Sequence, residues 1–250
     1  MSPPVTCPAP ETPLVLSCEH ATREVPAPHR SLFTGAEDIL RGHRGWDPGA
    51  YDAALAFRDR FRAPLFAGEA TRLLVELNRS LRHPRLWSEF SGRLAWVEKE
   101  RVLRRHYHPY RARITDAIKT ALASRPRVLH LSLHSLTPVL DGTRRDFEIA
   151  LLFDPARPAE TALCEAWADA LRRRKDPPRV VFNEPYKGSD DGLTTELRAH
   201  FPPDRYLGIE IEYNQRDVAG PPAAWRRIVR RSVETLAEVL AAHPVNTSAS

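Results

Sequence analysis

Two apolar stretches of the chain each end on a histidine. The segment PLVLSCEHA delivers His20, and the segment VLHLSLHS delivers His134. Both runs have the length and composition of buried strands, so we expect each histidine near the carboxyl end of a strand. Ligands bind at that end of open α/β sheets, and imidazole is a common metal ligand. The pair therefore predicts a shared metal site, with zinc as the leading candidate.

A catalytic zinc site commonly has a third protein ligand and one position left for water. Two acidic residues qualify, Asp47 in GWDPGAYD and Glu24 in EHATREVP. Asp47 precedes Pro48 at a predicted helix start, where an aspartate also serves as an N-cap. Glu24 follows His20 in the same loop. The spacing leaves both candidates open.

The segment YLGIEIEYNQ carries two glutamates, Glu210 and Glu212, separated by one residue. In a strand their side chains point to one face, and Ile209 and Ile211 point to the other. This pattern favours an interior strand with an acidic face over a solvated edge strand. A glutamate beside an activated water can accept its proton and pass it to a leaving amine. Both glutamates are therefore candidate catalytic bases.

Further polar residues lie where an anionic substrate could bind. Asn78 and Arg79 end the segment RLLVELNRS, and a guanidinium fork with an adjacent amide suits a carboxylate. Arg145 precedes the apolar run of RRDFEIALLF. Tyr186 and Lys187 lie in the polar segment NEPYKGSDDGLT, which either borders a pocket or only forms a turn.

Strand-like apolar runs alternate with helical patterns along the chain. The predicted strands are 14–17, 72–77, 128–133, 147–153, 179–182 and 206–213, and the predicted helices are 49–62, 94–124, 159–173 and 223–242. Pro109 should kink or divide the second helix. Continuous apolar strands imply a sheet covered on both faces, which predicts an α/β three-layer sandwich.

Length and composition restrict the class of protein. The 250 residues fit one domain, predicted at 13–243 between a disordered lead (1–12) and a disordered tail (244–250). No apolar run could span a bilayer, no secretory signal is evident, and the three cysteines lack disulfide or metal spacing. We therefore expect a cytoplasmic protein without a membrane partner. The net charge of +5 is scattered, which disfavours nucleic acid and suits a small anionic substrate.

Taken together, the motifs resemble the N-formylglutamate amidohydrolase family. The matching pieces, in the family's order, are SCEHATREVP, GWDPGAYD, RLLVELNRS, HYHPYR, LHSLTP, RRDFEIALLFD, NEPYKGSDDGLT and GIEIEYNQ. The resemblance implies a fold like that of the zinc carboxypeptidases, with a mixed, mostly parallel sheet. It also implies hydrolysis of N-formylglutamate, or a similar N-acyl amino acid, to formate and the free amino acid, as in histidine catabolism.

The resemblance also assigns roles to the metal-site candidates. His20 and His134 match the metal-site histidines of the family, and Asp47 matches the aspartate of its acidic motif. Asp47 therefore ranks above Glu24. One zinc ion, or another divalent ion, would be held by these three residues and would activate water for attack on the acyl carbon.

The resemblance orders the remaining candidates as well. Glu212 matches the single glutamate of the family's terminal motif, whereas Glu210 lies where a glutamine is expected. Asn78 and Arg79 match the segment that is expected to hold the substrate carboxylate. Arg79 or Arg145 would stabilise the oxyanion or bind the anionic end of the substrate.

The sequence departs from the family at two places. CEHAT lacks the usual proline before the histidine and the usual glycine after the alanine, and HYHPYR ends on Arg111 where histidine is more usual. The reaction class is therefore better supported than the substrate, and an inactive small-molecule-binding protein is an alternative. A nucleophilic amidase using Cys18 is a further alternative, although an apolar run favours a buried structural cysteine. The sequence does not indicate an oligomeric state.

Overall fold

The computed structural model describes residues 12–242. The strands are β1 (Leu14–Cys18), β2 (Leu65–Ala67), β3 (Val128–Leu136), β4 (Val139–Leu140), β5 (Thr143–Arg144), β6 (Ile149–Leu152), β7 (Val180–Phe182) and β8 (Tyr206–Asn214). The α-helices are α1 (Glu37–Arg41), α2 (Ala50–Phe61), α3 (Trp96–Val102), α4 (His108–Ser124), α5 (Pro158–Arg172), α6 (Leu193–His200), α7 (Gln215–Ala219) and α8 (Pro222–Ala242). The predicted lead and tail lie outside the described residues, apart from residue 12.

Six strands form one sheet in the order β2-β1-β3-β8-β6-β7. The neighbours are parallel except for β6, which runs antiparallel to β8. Strands β4 and β5 form a separate hairpin. The predicted mixed, mostly parallel sheet is therefore confirmed. No helix within residues 12–242 is long and apolar enough to cross a membrane.

Apolar clusters cover both faces of the sheet. Leu129, Leu131 and Leu133 of β3 pack in one cluster with buried residues of α2, α5 and α8. The other cluster contains Val128 together with buried residues of α4, α6 and the segment 70–86. Helices and loops thus enclose the sheet from both sides, as expected for the three-layer α/β class. The predicted fold class is confirmed.

The predicted strand at 72–77 is wrong. These residues form turns, and Leu74 is buried in the apolar cluster beside α4 without a strand partner. A short apolar run does not distinguish a strand from another buried segment, which explains the error. The additional strand of the sheet is β2, whose three half-buried residues are too few to show a periodic pattern.

The predicted helix at 94–124 is helical from Trp96 to Ser124, and the disturbance expected at Pro109 takes the form of a π-helical turn just before it. Helix α3 ends at Val102, a π-helical turn follows at Leu103–Tyr107, and α4 places Pro109 in its first turn. Proline lacks an N–H group, and the first turn of a helix is where this loss costs least. The buried Tyr107 and Tyr110 lie on either side of this junction.

Candidate metal centre and active-site cleft

The two central strands present polar side chains on the face opposite Leu131 and Leu133. Because side chains alternate along a strand, Ser132 and His134 of β3 point to this face. Across the parallel ladder His134 pairs in register with Glu212, and Ser132 pairs with Glu210. The strand that carries the two glutamates is thus an interior strand, as the sequence pattern favours.

Three buried residues converge at the ends of β1 and β3. The Nδ1 atoms of His20 and His134 each lie 3.0 Å from Oδ2 of Asp47. One potential ligand atom from each residue lies within 4.8 Å of the other two. Two imidazole nitrogens and a carboxylate oxygen form a donor set that fits zinc. We refer to these three residues as the triplet.

Local backbone structure places Asp47 in the triplet. Its N–H group donates to the carbonyl oxygen of His20 at 3.0 Å, which joins the loop after β1 to the segment before α2. The N-cap of α2 is Gly49, with a φ of 80°, and no side chain caps the helix. Asp47 therefore does not act as the helix cap. The alternative ligand Glu24 is exposed and lies outside the triplet.

The charges around the triplet favour a bound cation. Burial by itself would lower the pKa of His134, but hydrogen bonds to Asp47 and Glu19 raise it well above its usual value. Burial and Arg72 likewise oppose the charged form of His20, yet Glu76 and Asp47 raise its pKa. Burial works against the ionised form of Asp47, but His20, His134 and Arg72 hold the pKa of this carboxyl well below its usual range.

A cleft of about 400 Å³ opens over the triplet. This volume suits a small-molecule ligand. Its lining includes every candidate from the sequence except Glu24 and Cys18, namely His20, Asp47, Asn78, Arg79, His134, Arg145, Tyr186, Lys187, Glu210 and Glu212. Residues that are distant in the sequence thus border one cavity.

The two glutamates of β8 have different surroundings. Oε1 of Glu210 accepts a hydrogen bond of 2.6 Å from the hydroxyl of Thr194. Oε2 of Glu212 is buried and has no hydrogen-bond partner among the described residues. Burial raises the pKa of Glu212 to about 7, with added contributions from Asp47 and Glu210 and an opposing one from His134. Glu212 therefore has the properties of a group that can exchange a proton near neutral pH.

The candidate substrate-binding cations also differ. Arg145 is only 6% exposed and donates to the carbonyl oxygen of Thr137 and to the hydroxyl of Tyr186, each at 3.1 Å. Within residues 12–242 no carboxylate lies within 4.0 Å of its guanidinium. Arg79, in contrast, uses its Nη1 to hold the carbonyl oxygens of Asn78 and Asp191. Arg145 is thus a buried cation that lacks an anionic partner.

Two further candidates contribute less to a ligand site. Oδ1 of Asn78 accepts a hydrogen bond of 2.7 Å from the N–H of Leu193, so this oxygen positions the start of α6. Lys187 is exposed, and its backbone N–H donates to Asp190. Tyr186 contacts Arg145 with both its hydroxyl and its ring, whose centroid lies 5.4 Å from the guanidinium carbon.

The structure adds two buried glutamates and one half-buried arginine to which the sequence analysis assigns no role. Glu76 contacts His20, and Glu19 contacts His134. Arg72 bridges Glu76 and Asp47. The sequence offers one indication of each glutamate. A charged residue inside an apolar run is seldom buried without a partner, so its position predicts a buried polar contact. Glu19 directly follows β1, and Glu76 lies within LLVELN.

Cys18 does not line the cleft. Its side chain belongs to the apolar cluster that contains α2, α5 and α8. Burial, followed by the negative charges of Glu19 and Asp47, raises the pKa of the Cys18 thiol well above its usual value. A buried thiol of this kind is a poor nucleophile, which argues against the cysteine amidase alternative.

A three-layer α/β fold with a histidine–aspartate triplet in a polar cleft is the architecture of a candidate metal-dependent hydrolase. Comparison with known families narrows this class. The family model described as N-formylglutamate amidohydrolase matches residues 12–218, so the chain belongs to that family and the resemblance of its motifs is confirmed.

Two solved structures are similar to this chain over most of their length. The gene product Atu2144 from Agrobacterium tumefaciens has a TM-score of 0.79 and 27% identity, with 94% of this chain and 92% of that chain covered. The N-formylglutamate amidohydrolase from Ralstonia eutropha JMP134 has a TM-score of 0.69 and 20% identity, with 92% and 93% covered. At 20% identity, the similarity to the second structure shows a shared fold only. No curated protein sequence matches the chain.

Proposed function

We propose that this protein is a zinc-dependent amidohydrolase that cleaves N-formylglutamate or a closely related N-acyl amino acid. The observation that carries the proposal is the convergence of two imidazole Nδ1 atoms on one carboxylate oxygen, 3.0 Å from each, beneath the cleft. Membership of the N-formylglutamate amidohydrolase family supports the same reaction. The overall change is addition of water across the amide, which gives the free amino acid and the acyl carboxylate, which is formate for an N-formyl substrate.

His20, Asp47 and His134 would hold the metal ion. A divalent ion bound there supplies a Lewis acid that polarises the amide carbonyl and activates water. Zinc is the proposed ion because it favours mixed nitrogen and carboxylate ligands at a small coordination number. All three residues are buried, and none is more than 3% exposed, so little solvent competes with a metal ion for their ligand atoms.

Glu212 would carry the proton from the attacking water to the leaving nitrogen. Its unpartnered Oε2 leaves an acceptor position in the cleft wall, and its raised pKa allows both protonation states near neutral pH. Glu210 is less suited because Thr194 already occupies one of its oxygens. We propose that Glu210 instead contributes to the wall of the cleft through its hydrogen bond with Thr194.

Arg145 would bind a carboxylate of the substrate. The guanidinium is buried and has no anionic partner in the described part of the chain, and Thr137 and Tyr186 fix its orientation. A carboxylate entering the cleft would supply the missing charge and accept parallel hydrogen bonds from the fork. Arg79 and Lys187 would contribute further positive charge at the cleft border.

The test combines metal analysis with turnover. The purified full chain is expected to contain or take up about one zinc per chain, and to release formate from N-formylglutamate or another member of an N-formyl and N-acyl amino acid panel. His134→Ala should lose both zinc and activity while it keeps the circular dichroism spectrum of the wild type. Retention of full activity by that variant would overturn the site. Stoichiometric zinc with substrate binding but without turnover would instead identify an inactive binding protein.

A further inference from the structure

We propose that Glu19 and Glu76 are positioning residues that fix the tautomers of the two metal-site imidazoles. Glu76 contacts the far nitrogen of His20, and Glu19 contacts the far nitrogen of His134. In this arrangement both Nδ1 lone pairs point at one position beside Asp47. The inference rests on the proposed function, because it assumes that a metal ion binds at that position.

The contacts of Glu76 determine which His20 nitrogen carries hydrogen. Oε1 accepts the backbone N–H of Asn78 at 3.0 Å, and Oε2 accepts Nε of Arg72 at 2.8 Å. Both oxygens therefore act as acceptors of an ionised carboxylate. Nε2 of His20 lies 2.5 Å from Oε1, so this nitrogen must be the donor.

The same logic applies to Glu19, which is fully buried. Its Oε1 accepts the hydroxyl of Tyr110 at 3.1 Å, and its Oε2 accepts the hydroxyl of Ser132 at 2.6 Å. Nε2 of His134 lies 3.1 Å from that Oε2 and 2.9 Å from the Ser132 oxygen, whose hydrogen is already used. Both neighbours are acceptors. The Asn78 amide nitrogen, a donor, lies farther from Nε2, at 3.4 Å.

The two tautomers together create the metal-binding geometry. A neutral imidazole carries one hydrogen, so placing it on Nε2 leaves the lone pair on Nδ1. Both Nδ1 atoms then face Oδ2 of Asp47, and three electron-rich atoms meet at a single position. A divalent cation bound at that position would balance this concentration of electron density. A carboxylate behind an imidazole also raises the basicity of the ligating nitrogen.

Nuclear magnetic resonance tests the tautomers directly. The zinc-loaded full chain is labelled with ¹⁵N-histidine, and signals are assigned by their loss in His20→Asn and His134→Asn. Long-range ¹H–¹⁵N correlations should show a protonated Nε2 and a zinc-bound Nδ1 for both rings. Protonated Nδ1 on either ring would overturn the proposal. The tautomers are read from the wild-type chain, and the two variants serve only to assign its signals.

Zinc competition against a chromophoric chelator gives the second test. Glu19→Gln and Glu76→Gln should each weaken zinc binding about 10- to 100-fold, because an amide N–H₂ replaces an acceptor oxygen. Glu24→Gln is the matched control, since it removes an exposed carboxylate in the loop after His20, and it should bind zinc like the wild type. Wild-type zinc affinity in both positioning variants would overturn the inference about Glu19 and Glu76 but leave the proposed function standing. A wild-type chain that binds no zinc would overturn the proposed function as well.

Discussion

Glu210 and Glu212 show how neighbours separate two chemically identical side chains. They project from one strand toward one cleft, yet Thr194 donates to an oxygen of Glu210, whereas an oxygen of Glu212 has no partner among residues 12–242. Burial without a hydrogen bond disfavours the charged form of a carboxyl group. The difference in environment supports the proposal that Glu212, and not Glu210, transfers the proton.

Replacement of each glutamate by glutamine tests this assignment. Glu212→Gln should reduce kcat about 10²- to 10⁴-fold, the usual contribution of a general base, and should leave zinc binding intact. Glu210→Gln should reduce kcat less than about 10-fold, since it retains an acceptor for Thr194. Steady-state kinetics with matched zinc content provides the measurement. A larger loss in Glu210→Gln would reverse the two roles.

Arg145 offers a second test at the scale of single residues. Arg145→Gln should raise KM about 10- to 100-fold, because a hydrogen bond to a charged group contributes about 1.5–3 kcal/mol. The kcat should change little if the contact forms equally in the ground and transition states. Arg144→Gln, a neighbouring exposed arginine on the β4–β5 hairpin, is the matched control and should behave like the wild type. An unchanged KM in Arg145→Gln would remove this residue from the substrate site.

The sequence identifies residues that end apolar runs more readily than residues that support them. His20 and His134 stand out because each follows a strand, and the structure brings them together as the pattern predicts. Glu76 is missed because the apolar run LLVELN predicts a strand, and a strand pattern does not indicate that its one glutamate contacts a histidine. Its contact with His20 joins segments 56 residues apart, and no local pattern encodes such a pairing.

At the scale of elements, β1, β3 and β8 share a polar interior beneath the cleft. His130 of β3 contacts the hydroxyls of Tyr206 and Ser17, each at 2.8 Å. Burial, aided by Arg198 and His134 and opposed by Glu19, lowers the pKa of His130 to about 4. The neutral imidazole thus links three strands through hydrogen bonds.

This link should make the sheet sensitive to acid. Unfolded histidine titrates near 6.5, so between about pH 6.5 and 4 the unfolded state binds a proton that the native state does not. Stability contributed by His130 is therefore present at neutral pH and lost as the pH falls, by about 2 kcal/mol at pH 5. Urea unfolding at pH 7.5 and pH 5.0 measures the loss. His130→Gln should show a smaller difference between the two pH values, and an equal difference would exclude His130 as its source.

Elements with long apolar patterns could be predicted from the sequence, and short ones could not. Strands β3 and β8 and helix α8 lie within a few residues of the predicted bounds, because their burial repeats over many positions. The three residues of β2 give no such signal. The run at 72–77 is apolar because it packs beneath α4, and sequence alone cannot separate that environment from a sheet.

At the scale of the whole molecule, zinc should stabilise the fold. An ion that binds only the native state at about 100 times its Kd adds about 2.7 kcal/mol to the free energy of unfolding. For a chain of this size we expect a rise in Tm of about 5–10 °C. Thermal unfolding with and without zinc, after treatment with a chelator, provides the measurement. His134→Ala should show no comparable rise, and an equal rise in that variant would place the stabilising ion elsewhere.

The segment 68–95 has one short 3₁₀ turn and no strand, yet it places Arg72 and Glu76 against the triplet. Few of its backbone groups belong to regular structure, so its course depends on side-chain contacts, both the apolar packing beneath α4 and the polar contacts of Arg72 and Glu76. We therefore expect the segment 68–95 and the proposed metal ion to stabilise each other. Loss of the ion would increase the mobility of this segment, and a more mobile segment would make the ion dissociate faster.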